Sequence, residues 1–325
     1  MLDTHWMVSS DVDYDALTPV MRQLIDAKRA HPGAIIFFRL GDFYELFFED
    51  ALEAAPLLDM VLTSRNKKDI RPIPMCGFPH HAMSGYLQKL LELSRPVAVV
   101  EQLEDPKQAK GIVKRGVTRV ITPGVVLETE ALDGKRANHL VALVPRRGGG
   151  LGVAVAEVST GDLRVAEVAH PAGLATLLVR LEPRELLLPE AVRPWLESVA
   201  GAEDPLWSVR PIPRAVKKPH GRDATACAVE YLREYLAEVR PSCLGLLASP
   251  SPLDALTHLR LDREAVGHLE LMATSRHGRR EGALLAAVDR TCTAGGARAL
   301  RALLLAPLAN RADLQARHTA VEALL

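Results

Sequence analysis

The sequence predicts an α/β protein whose final part is α-helical. Strand-like and helix-like segments alternate through residues 18–125, strand-like segments follow one another closely over residues 140–168, and helix-like segments predominate after residue 251. The chain has 325 residues, of which 48% are hydrophobic and 25% are charged, so it is long enough for about two or three domains with ample cores. We place domain boundaries after residues 128 and 250, which gives domains over residues 1–128, 129–250 and 251–325.

Strands and helices alternate in the first domain. Thr18 and Pro19 open a predicted helix over residues 18–31, and an apolar run predicts a buried strand over residues 34–40. A second helix is predicted over residues 46–58, and residues 70–79 are interpreted as a loop because prolines and a glycine interrupt them. A third helix, over residues 83–93, leads past Pro96 into a strand over residues 97–101. This alternation predicts a small mixed α/β domain.

The pentapeptide GDFYE at residues 41–45 stands where the sequence predicts a turn from strand to helix. An aromatic ring such as Phe43 can wedge between bases, while a nearby carboxylate such as Glu45 accepts a hydrogen bond from a displaced base. The structural alternative is a capping box, in which Asp42 and Glu45 cap the following helix and Phe43 is a core residue. Taken alone, the pentapeptide favours this alternative, because short motifs often occur by chance.

The second domain is predicted to begin with three antiparallel strands. Strands over residues 140–144, 152–158 and 163–168 are followed by a helix over 173–181, a strand over 186–188 and a helix over 193–199. The resulting order βββαβα predicts a ribonuclease-H-like fold. Because some proteins with that fold are metal nucleases, the acidic residues Glu157 and Asp162 are candidate metal ligands. No further carboxylate is placed to complete a two-metal site, so the sequence disfavours nuclease activity.

The third part of the chain is predicted to be helical. Helices are expected over residues 284–288 and 297–305, and Asn310 with Asp313 is typical of the start of another helix. The apolar positions of that last helix continue to the end of the chain without a stop signal. We therefore expect the chain to end inside an incomplete helical domain.

Basic residues are concentrated in one part of the first domain, although the formal net charge of the chain is zero. Residues 1–60 carry 4 basic and 11 acidic side chains, whereas residues 61–125 carry 11 basic and 5 acidic ones. This polarity predicts two edges that contact phosphates, against the alternative of an ordinary solvated face. The first edge contains Arg65, Lys67, Lys68 and Arg71, and the second contains Lys107, Lys110, Lys114, Arg115 and Arg119.

Cysteine, histidine and apolar patterns argue against metal and membrane sites. The four cysteines contain no Cys-x-x-Cys pair, which favours reduced, buried thiols. His80 and His81 are adjacent rather than one helical turn apart, and are interpreted as turn residues. No apolar run reaches the ~20 residues that span a bilayer, so we expect a cytoplasmic protein without a membrane partner.

Several motifs occur in an order that resembles a known family. These are Thr18-Pro19, GDFYELF at residues 41–47, PIPMCGFP at 72–79 and TPG at 122–124. Together they resemble the amino-terminal half of the MutS family of DNA mismatch-repair proteins. The resemblance implies a mismatch-recognition domain, a ribonuclease-H-like connector domain and the start of an α-helical lever or core domain. Residues 291–308 resemble the start of the lever, whereas residues 266–271 retain only the Leu-Glu-Leu part of the usual block.

The resemblance also implies a function and a set of site residues. Phe43 is expected to stack at a mismatch or small loop in double-stranded DNA, and Glu45 to contact the displaced base. Arg65 and Arg115, with Lys110 as a third candidate, are expected to contact the DNA backbone. The implied role is DNA binding in the repair of DNA damage. Two alternatives stay open, namely a truncated paralogue that acts as a protein-interaction scaffold and, less favoured, a metal nuclease.

The catalytic part of such proteins is expected to lie outside this chain. No Gly-x-x-x-x-Gly-Lys-Ser/Thr phosphate-binding loop occurs in the sequence. We therefore expect no enzymatic activity, catalytic residue, metal or cofactor in this chain. The resemblance implies that an intact family member is a DNA-dependent ATPase that binds ATP and Mg²⁺ in an absent C-terminal part. It also implies a homodimer and downstream mismatch-repair partners.

Overall fold

The structure, a computed structural model, describes residues 6–66, 71–104, 111–126, 133–200, 208–211, 223–253 and 258–324. The chain divides into two compact units. The first comprises Met1–Leu132 with Glu238–Pro241, and the second comprises Asp133–Ala237 with Ser242–Leu325. Each unit contains one mixed six-stranded sheet, which confirms the predicted α/β class.

The first unit is built on a six-stranded sheet and three helices. The strands are β1 (Ile35–Leu40), β2 (Phe43–Phe47), β3 (Thr63–Ser64), β4 (Pro74–Pro79), β5 (Val97–Gln102) and β6 (Arg115–Ile121), and the helices are α1 (Pro19–Ala30), α2 (Phe48–Leu57) and α3 (Met83–Glu92). The strand order in the sheet is β3-β4-β2-β1-β5-β6. Strands β1 and β5 are parallel, and all the other neighbours are antiparallel.

Helices cover both faces of this sheet and bury two apolar cores. Because side chains alternate between the faces of a strand, the neighbours Phe37 and Phe38 enter different cores. Phe37 packs with Leu46 and residues of α2 and α3. Phe38 packs with Phe47 and with residues of α1, including Leu24. The face that carries α1 is called the α1 face below.

The predicted helix at residues 46–58 is wrong at its start. Residues Phe43–Phe47 form strand β2, which pairs with β1 on one side and β4 on the other. Gly41, whose φ is +59°, forms the tight turn between β1 and β2 with Asp42. The helix begins only at Phe48. Pairing with two neighbouring strands makes this segment extended, in agreement with the enrichment of Phe and Tyr in strands.

The interpretation of residues 70–79 as a loop is also wrong over its last six residues. Pro74–Pro79 form β4, which pairs with β2 and with the short strand β3. The two prolines occupy the ends of the strand, where a missing N–H group disturbs the ladder least.

The second unit contains the other six-stranded sheet. Its strands are β7 (His139–Pro145), β8 (Leu151–Glu157), β9 (Asp162–Val168), β10 (Glu185–Leu188), β11 (Ser208–Pro211) and β12 (Ser251–Pro252), and its first three helices are α4 (Pro171–Leu181), α5 (Arg193–Ala200) and α6 (Ala224–Val239). The strand order is β11-β10-β7-β8-β9-β12. Strand β8 is antiparallel to β7 and β9, whereas β10 is parallel to β7 and β11. This arrangement confirms the predicted ribonuclease-H-like order.

Helix α6 was not predicted, and it packs closely on β8. Val153 and Val155 face the core formed with α4 and α5, so Gly152 faces the opposite side of the sheet. A Cβ atom at Gly152 would lie 2.3 Å from the carbonyl carbon of Ala224 at the start of α6. Glycine at this position therefore lets the helix backbone approach the strand.

The rest of the second unit is helical, as predicted. Helices α7 (Arg263–His268), α8 (Leu284–Val288), α9 (Ala294–Leu305) and α10 (Arg311–Glu322) follow in order. The predicted cap at Asn310 is confirmed, because its side chain accepts a hydrogen bond from the backbone N–H of Ala312. Helix α9 is attached to the sheet part of the unit by Arg301, whose guanidinium donates two hydrogen bonds to the carboxylate of Glu182 at the end of α4.

Candidate nucleic-acid interface

Phe43 and Glu45 lie side by side on the α1 face of the first sheet. They are two residues apart in β2 and therefore point to the same side. In the strand register, Glu45 is opposite Phe38 of β1 and Gly77 of β4. Phe43 is 48% exposed, whereas Glu45 is half-buried. The exposed aromatic ring and the partly buried carboxylate are therefore both accessible to a ligand on this face.

The capping-box alternative for the pentapeptide is wrong. Glu45 lies within β2, and the N-cap residue of α2 is Phe47, which makes no side-chain capping hydrogen bond. Phe43 is not a core residue. Helix capping and core packing therefore do not explain why Glu45 and Phe43 occupy these positions.

Tyr44 anchors β2 from the opposite face of the sheet. Its ring contacts Phe37 and Phe78, at centroid distances of 5.9 Å in both cases. Its hydroxyl donates a hydrogen bond to Glu101, and burial, assisted by that carboxylate, raises the pKa of Tyr44 to about 12. The motif therefore combines an anchor buried on the opposite face with two side chains on the α1 face.

The turn before Phe43 is held by two neighbouring residues. The backbone N–H of His80 donates to the Asp42 carbonyl at 2.9 Å, and its ring Nδ1 lies 3.2 Å from the same oxygen. Arg39 donates from Nε to the Gly41 carbonyl at 2.5 Å. Arg39 was not identified from the sequence as a residue that supports the turn, because this contact depends on the geometry of the β1–β2 hairpin.

Arg65 lies next to Glu45, as the cation of an ion pair. Its Nη1 is 3.9 Å from Glu45 Oε2, and its guanidinium lies over the Phe47 ring, 5.6 Å from the centroid. The backbone N–H of Arg65 donates to the Ile73 carbonyl at 3.1 Å. Burial raises the pKa of Glu45, and the charge of Arg65 opposes this shift.

Arg115 lies on the same face but is held by protein groups. Its Nε donates to the Arg39 carbonyl at 2.8 Å, and its Nη1 donates to the Val113 carbonyl at 2.9 Å. The guanidinium lies over the Phe38 ring, 5.6 Å from the centroid, and burial lowers its pKa. Since Phe38 is opposite Glu45, the α1 face carries Arg115 on the β6 side of Glu45 and Arg65 on the β3 side.

The remaining basic candidates give less information. Arg71 forms an ion pair with Asp11 at 2.5 Å. Four other candidates, Lys67, Lys68, Lys107 and Lys110, lie outside the described residues. The role predicted for Lys110 therefore stays a prediction.

The acidic pair of the second sheet is placed in neighbouring strands. Glu157 and Asp162 are directly opposite each other in β8 and β9, and Asp162 forms an ion pair with Arg164 at 2.8 Å. Within the described ranges, no three His, Cys, Asp or Glu side chains are grouped as metal ligands.

The described cysteines and helices bear on the remaining sequence predictions. Cys76, Cys227 and Cys243 are buried free thiols, but Cys292 is exposed, contrary to the expectation. None of the described helices is long and apolar enough to cross a membrane.

Comparisons with known proteins extend over most of the chain. Family models described as MutS domain I, MutS domain II and MutS domain III match residues 18–130, 138–259 and 264–325, respectively.

Curated relatives named DNA mismatch repair protein MutS align with the same region. The protein from Sorangium cellulosum is 42% identical, over 94% of this chain and 36% of its own length. The proteins from Desulfatibacillum aliphaticivorans and Myxococcus xanthus are 36% and 37% identical, over 94% and 95% of this chain and 37% of their own lengths. The chain thus spans little more than a third of the length of these relatives. With three consecutive domain models in family order, the chain belongs to the MutS family and corresponds to its amino-terminal domains.

Proposed function

We propose that this chain binds double-stranded DNA at mismatches or small unpaired loops, as the recognition part of a DNA mismatch-repair protein. The observation that supports this proposal is the arrangement of an exposed Phe43 and a half-buried Glu45 side by side in β2, on the α1 face. The match of residues 18–130 to MutS domain I and the similarity to DNA mismatch repair proteins support the same function.

The proposed selectivity rests on the energy of deforming DNA. Inserting the Phe43 ring into the minor groove requires a base step to unstack, which costs a few kcal/mol in paired DNA. The cost is smaller where pairing is already lost. A rigid mount lowers the entropy cost of insertion, and the ring is mounted on a strand that has neighbours on both sides.

Glu45 adds selectivity through its charge. A carboxylate near DNA phosphates is repelled unless a hydrogen-bond donor compensates it, and a displaced base supplies such a donor. A perfect duplex does not expose the base in this way. Glu45 therefore penalises binding to perfect duplex more than binding to a mismatch.

The experiment compares the affinity of the purified chain for mismatched and perfect duplexes of the same length. We expect a preference for the mismatched duplex, and we expect Phe43→Ala to abolish it, since stacking of one ring contributes about 1–3 kcal/mol. The melting temperature of the variant should be unchanged, because the ring is exposed. Equal binding to both duplexes by the native chain would favour the scaffold alternative.

We further propose that ATP and Mg²⁺ binding, homodimer formation and contacts with downstream repair proteins belong to the intact protein. The support is membership of the MutS family, together with the length of the relatives, of which this chain covers 36–38%.

A further inference from the structure

The ion pair between Glu45 and Arg65 joins a predicted base contact to a predicted phosphate contact. The two residues are 20 positions apart in the sequence, and no local pattern links them. Their closest charged atoms are 3.9 Å apart, which is longer than a hydrogen bond. Such a pair is electrostatic and is broken at little cost, because 40% of the Arg65 side chain is exposed.

The surroundings of Arg65 keep its charge close to Glu45. The guanidinium lies over the Phe47 ring, which is on the same face of β2 as Glu45. The backbone of Arg65 is hydrogen-bonded to Ile73. Arg65 is also the cation whose charge opposes the effect of burial on the Glu45 carboxyl, whereas Arg115 is occupied by two backbone carbonyls.

We propose that Arg65 is a specificity-determining residue that exchanges partners, from the Glu45 carboxylate to a DNA phosphate, when a displaced base occupies Glu45. This inference rests on the proposed function. At a mismatch, the base donor compensates the carboxylate, so the guanidinium is released to a phosphate. On perfect duplex no donor arrives, and Arg65 remains the counter-charge of Glu45. A mismatch therefore adds one phosphate contact that a perfect duplex does not gain.

The exchange predicts a difference in salt dependence. Each phosphate neutralised contributes about 0.9 to the slope of log K against log salt for B-form DNA. The slope for mismatched DNA should therefore exceed that for perfect duplex by up to about 0.9. Bending of the DNA adds its own contacts at a mismatch, so the contribution of Arg65 has to be isolated with variants.

The experiment measures the affinities of four chains by fluorescence anisotropy at several salt concentrations. These chains are native, Arg65→Ala, Glu45→Gln and the double variant. In the native background, Arg65→Ala should weaken mismatch binding several-fold and perfect-duplex binding much less, and it should reduce the difference between the two slopes. In the Glu45→Gln background Arg65 is free on both DNAs, so its loss should weaken both alike.

Two control variants test whether the effect is specific to the charge of Arg65. Arg95→Ala removes another ion-paired surface arginine, which contacts Glu53, and should not change the ratio of the affinities. Arg65→Gln keeps part of the aliphatic stem over Phe47 without the charge, and replaces Arg65→Ala if that variant fails to fold.

The inference is overturned if loss of Arg65 weakens both duplexes alike in the native background, because Arg65 is then a simple phosphate contact. It is also overturned if the effects of the two substitutions are independent. A native chain without mismatch preference would instead refute the proposed function.

Discussion

At Glu45, burial and a neighbouring charge act on the same carboxyl group in opposite directions. Burial raises its pKa, and Arg65 lowers it, with the burial effect being the larger. The net result is a carboxyl group that takes up a proton at a higher pH than an ordinary glutamate. Protonation removes the charge that repels phosphates and makes the residue similar to glutamine.

The first prediction is that Glu45→Gln strengthens binding to perfect duplex and so lowers selectivity. In the native chain, lowering the pH from 7 towards the raised pKa should have the same effect, because the protonated carboxyl group is neutral. The variant should show no such loss of selectivity with falling pH. Binding to both duplexes, measured between about pH 5 and 7 at constant ionic strength, tests this. A native chain and a variant with the same pH profile would contradict it.

Arg115 gives the second prediction, because its side chain makes hydrogen bonds within the protein at a position that is only partly buried. Arg115→Ala should weaken mismatched and perfect duplex alike and reduce both salt slopes by up to about 0.9. It should also lower the melting temperature, since the hydrogen bonds to Arg39 and Val113 are lost. A loss confined to mismatched DNA would contradict a phosphate role. A lower melting temperature without any change in DNA binding would make Arg115 purely structural.

Among the secondary-structure elements, α1, α2 and β1 are joined through one buried carboxylate, that of Asp50. Asp50 of α2 accepts a hydrogen bond from Lys28 of α1 at 2.6 Å and another from the backbone N–H of Ile36 in β1 at 3.0 Å. Burial raises the pKa of Asp50 from 3.8 to about 6, even though Lys28 lowers it. The pair of Lys28 and Asp50 thus connects α1, which packs on the α1 face, to α2, which packs on the other face of the sheet.

The third prediction concerns the stability of this arrangement. Between pH 3.8 and about 6 the folded state holds a proton on Asp50 that the unfolded state has released. The contribution of Asp50 to the free energy of unfolding therefore falls as the pH rises through this range. Asp50→Asn should remove that dependence and, at pH 7, should not destabilise the first unit, because the raised pKa means that the folded state favours the neutral side chain over the charged one. Denaturant unfolding from pH 4 to 7 measures both effects.

Glu53 offers a matched control for Asp50 in the same helix. Its ion pair with Arg95 is exposed, so Glu53→Gln should change the stability by less than about 1 kcal/mol. Equal effects of the two substitutions on the pH dependence of the stability would show that burial of Asp50 has no consequence for stability.

The molecule as a whole combines a candidate DNA site with a second unit that joins a sheet to helices. In that unit, Arg301 is only 12% exposed and pairs with Glu182, so the ribonuclease-H-like part and α9 are joined by a charge-assisted, bidentate contact. The sequence contains no phosphate-binding loop, and the described residues contain no metal-ligand cluster.

The fourth prediction is that the purified chain neither hydrolyses ATP nor cleaves DNA, with or without Mg²⁺ or Mn²⁺. Its binding to mismatched DNA should also be weaker than that of an intact family member, if the proposed homodimer forms, because linked contacts from two subunits increase affinity. Phosphate-release and strand-scission assays test the first part. Either activity, if it persists through stringent purification, would contradict this prediction. DNA cleavage would in addition favour the metal-nuclease alternative for Glu157 and Asp162.

The succession of elements over most of the chain can be predicted from the amino-acid sequence. The βββαβα order, helix α8 and the cap at Asn310 follow from apolar periodicity and capping residues, which act over a few neighbouring positions. The ordered motifs at residues 41–47, 72–79 and 122–124 also indicate the family and direct attention to Phe43 and Glu45.

The geometry of the candidate site depends instead on contacts between distant segments. Residues 43–47 form a strand rather than the start of a helix because β1 and β4 supply hydrogen bonds on both sides. That pairing places Phe43 and Glu45 on the α1 face and buries Tyr44 in the core on the opposite face. It also brings Arg65 to Glu45, across 20 positions of the sequence. Such contacts depend on the register of strands that are distant in the chain, which no local pattern specifies.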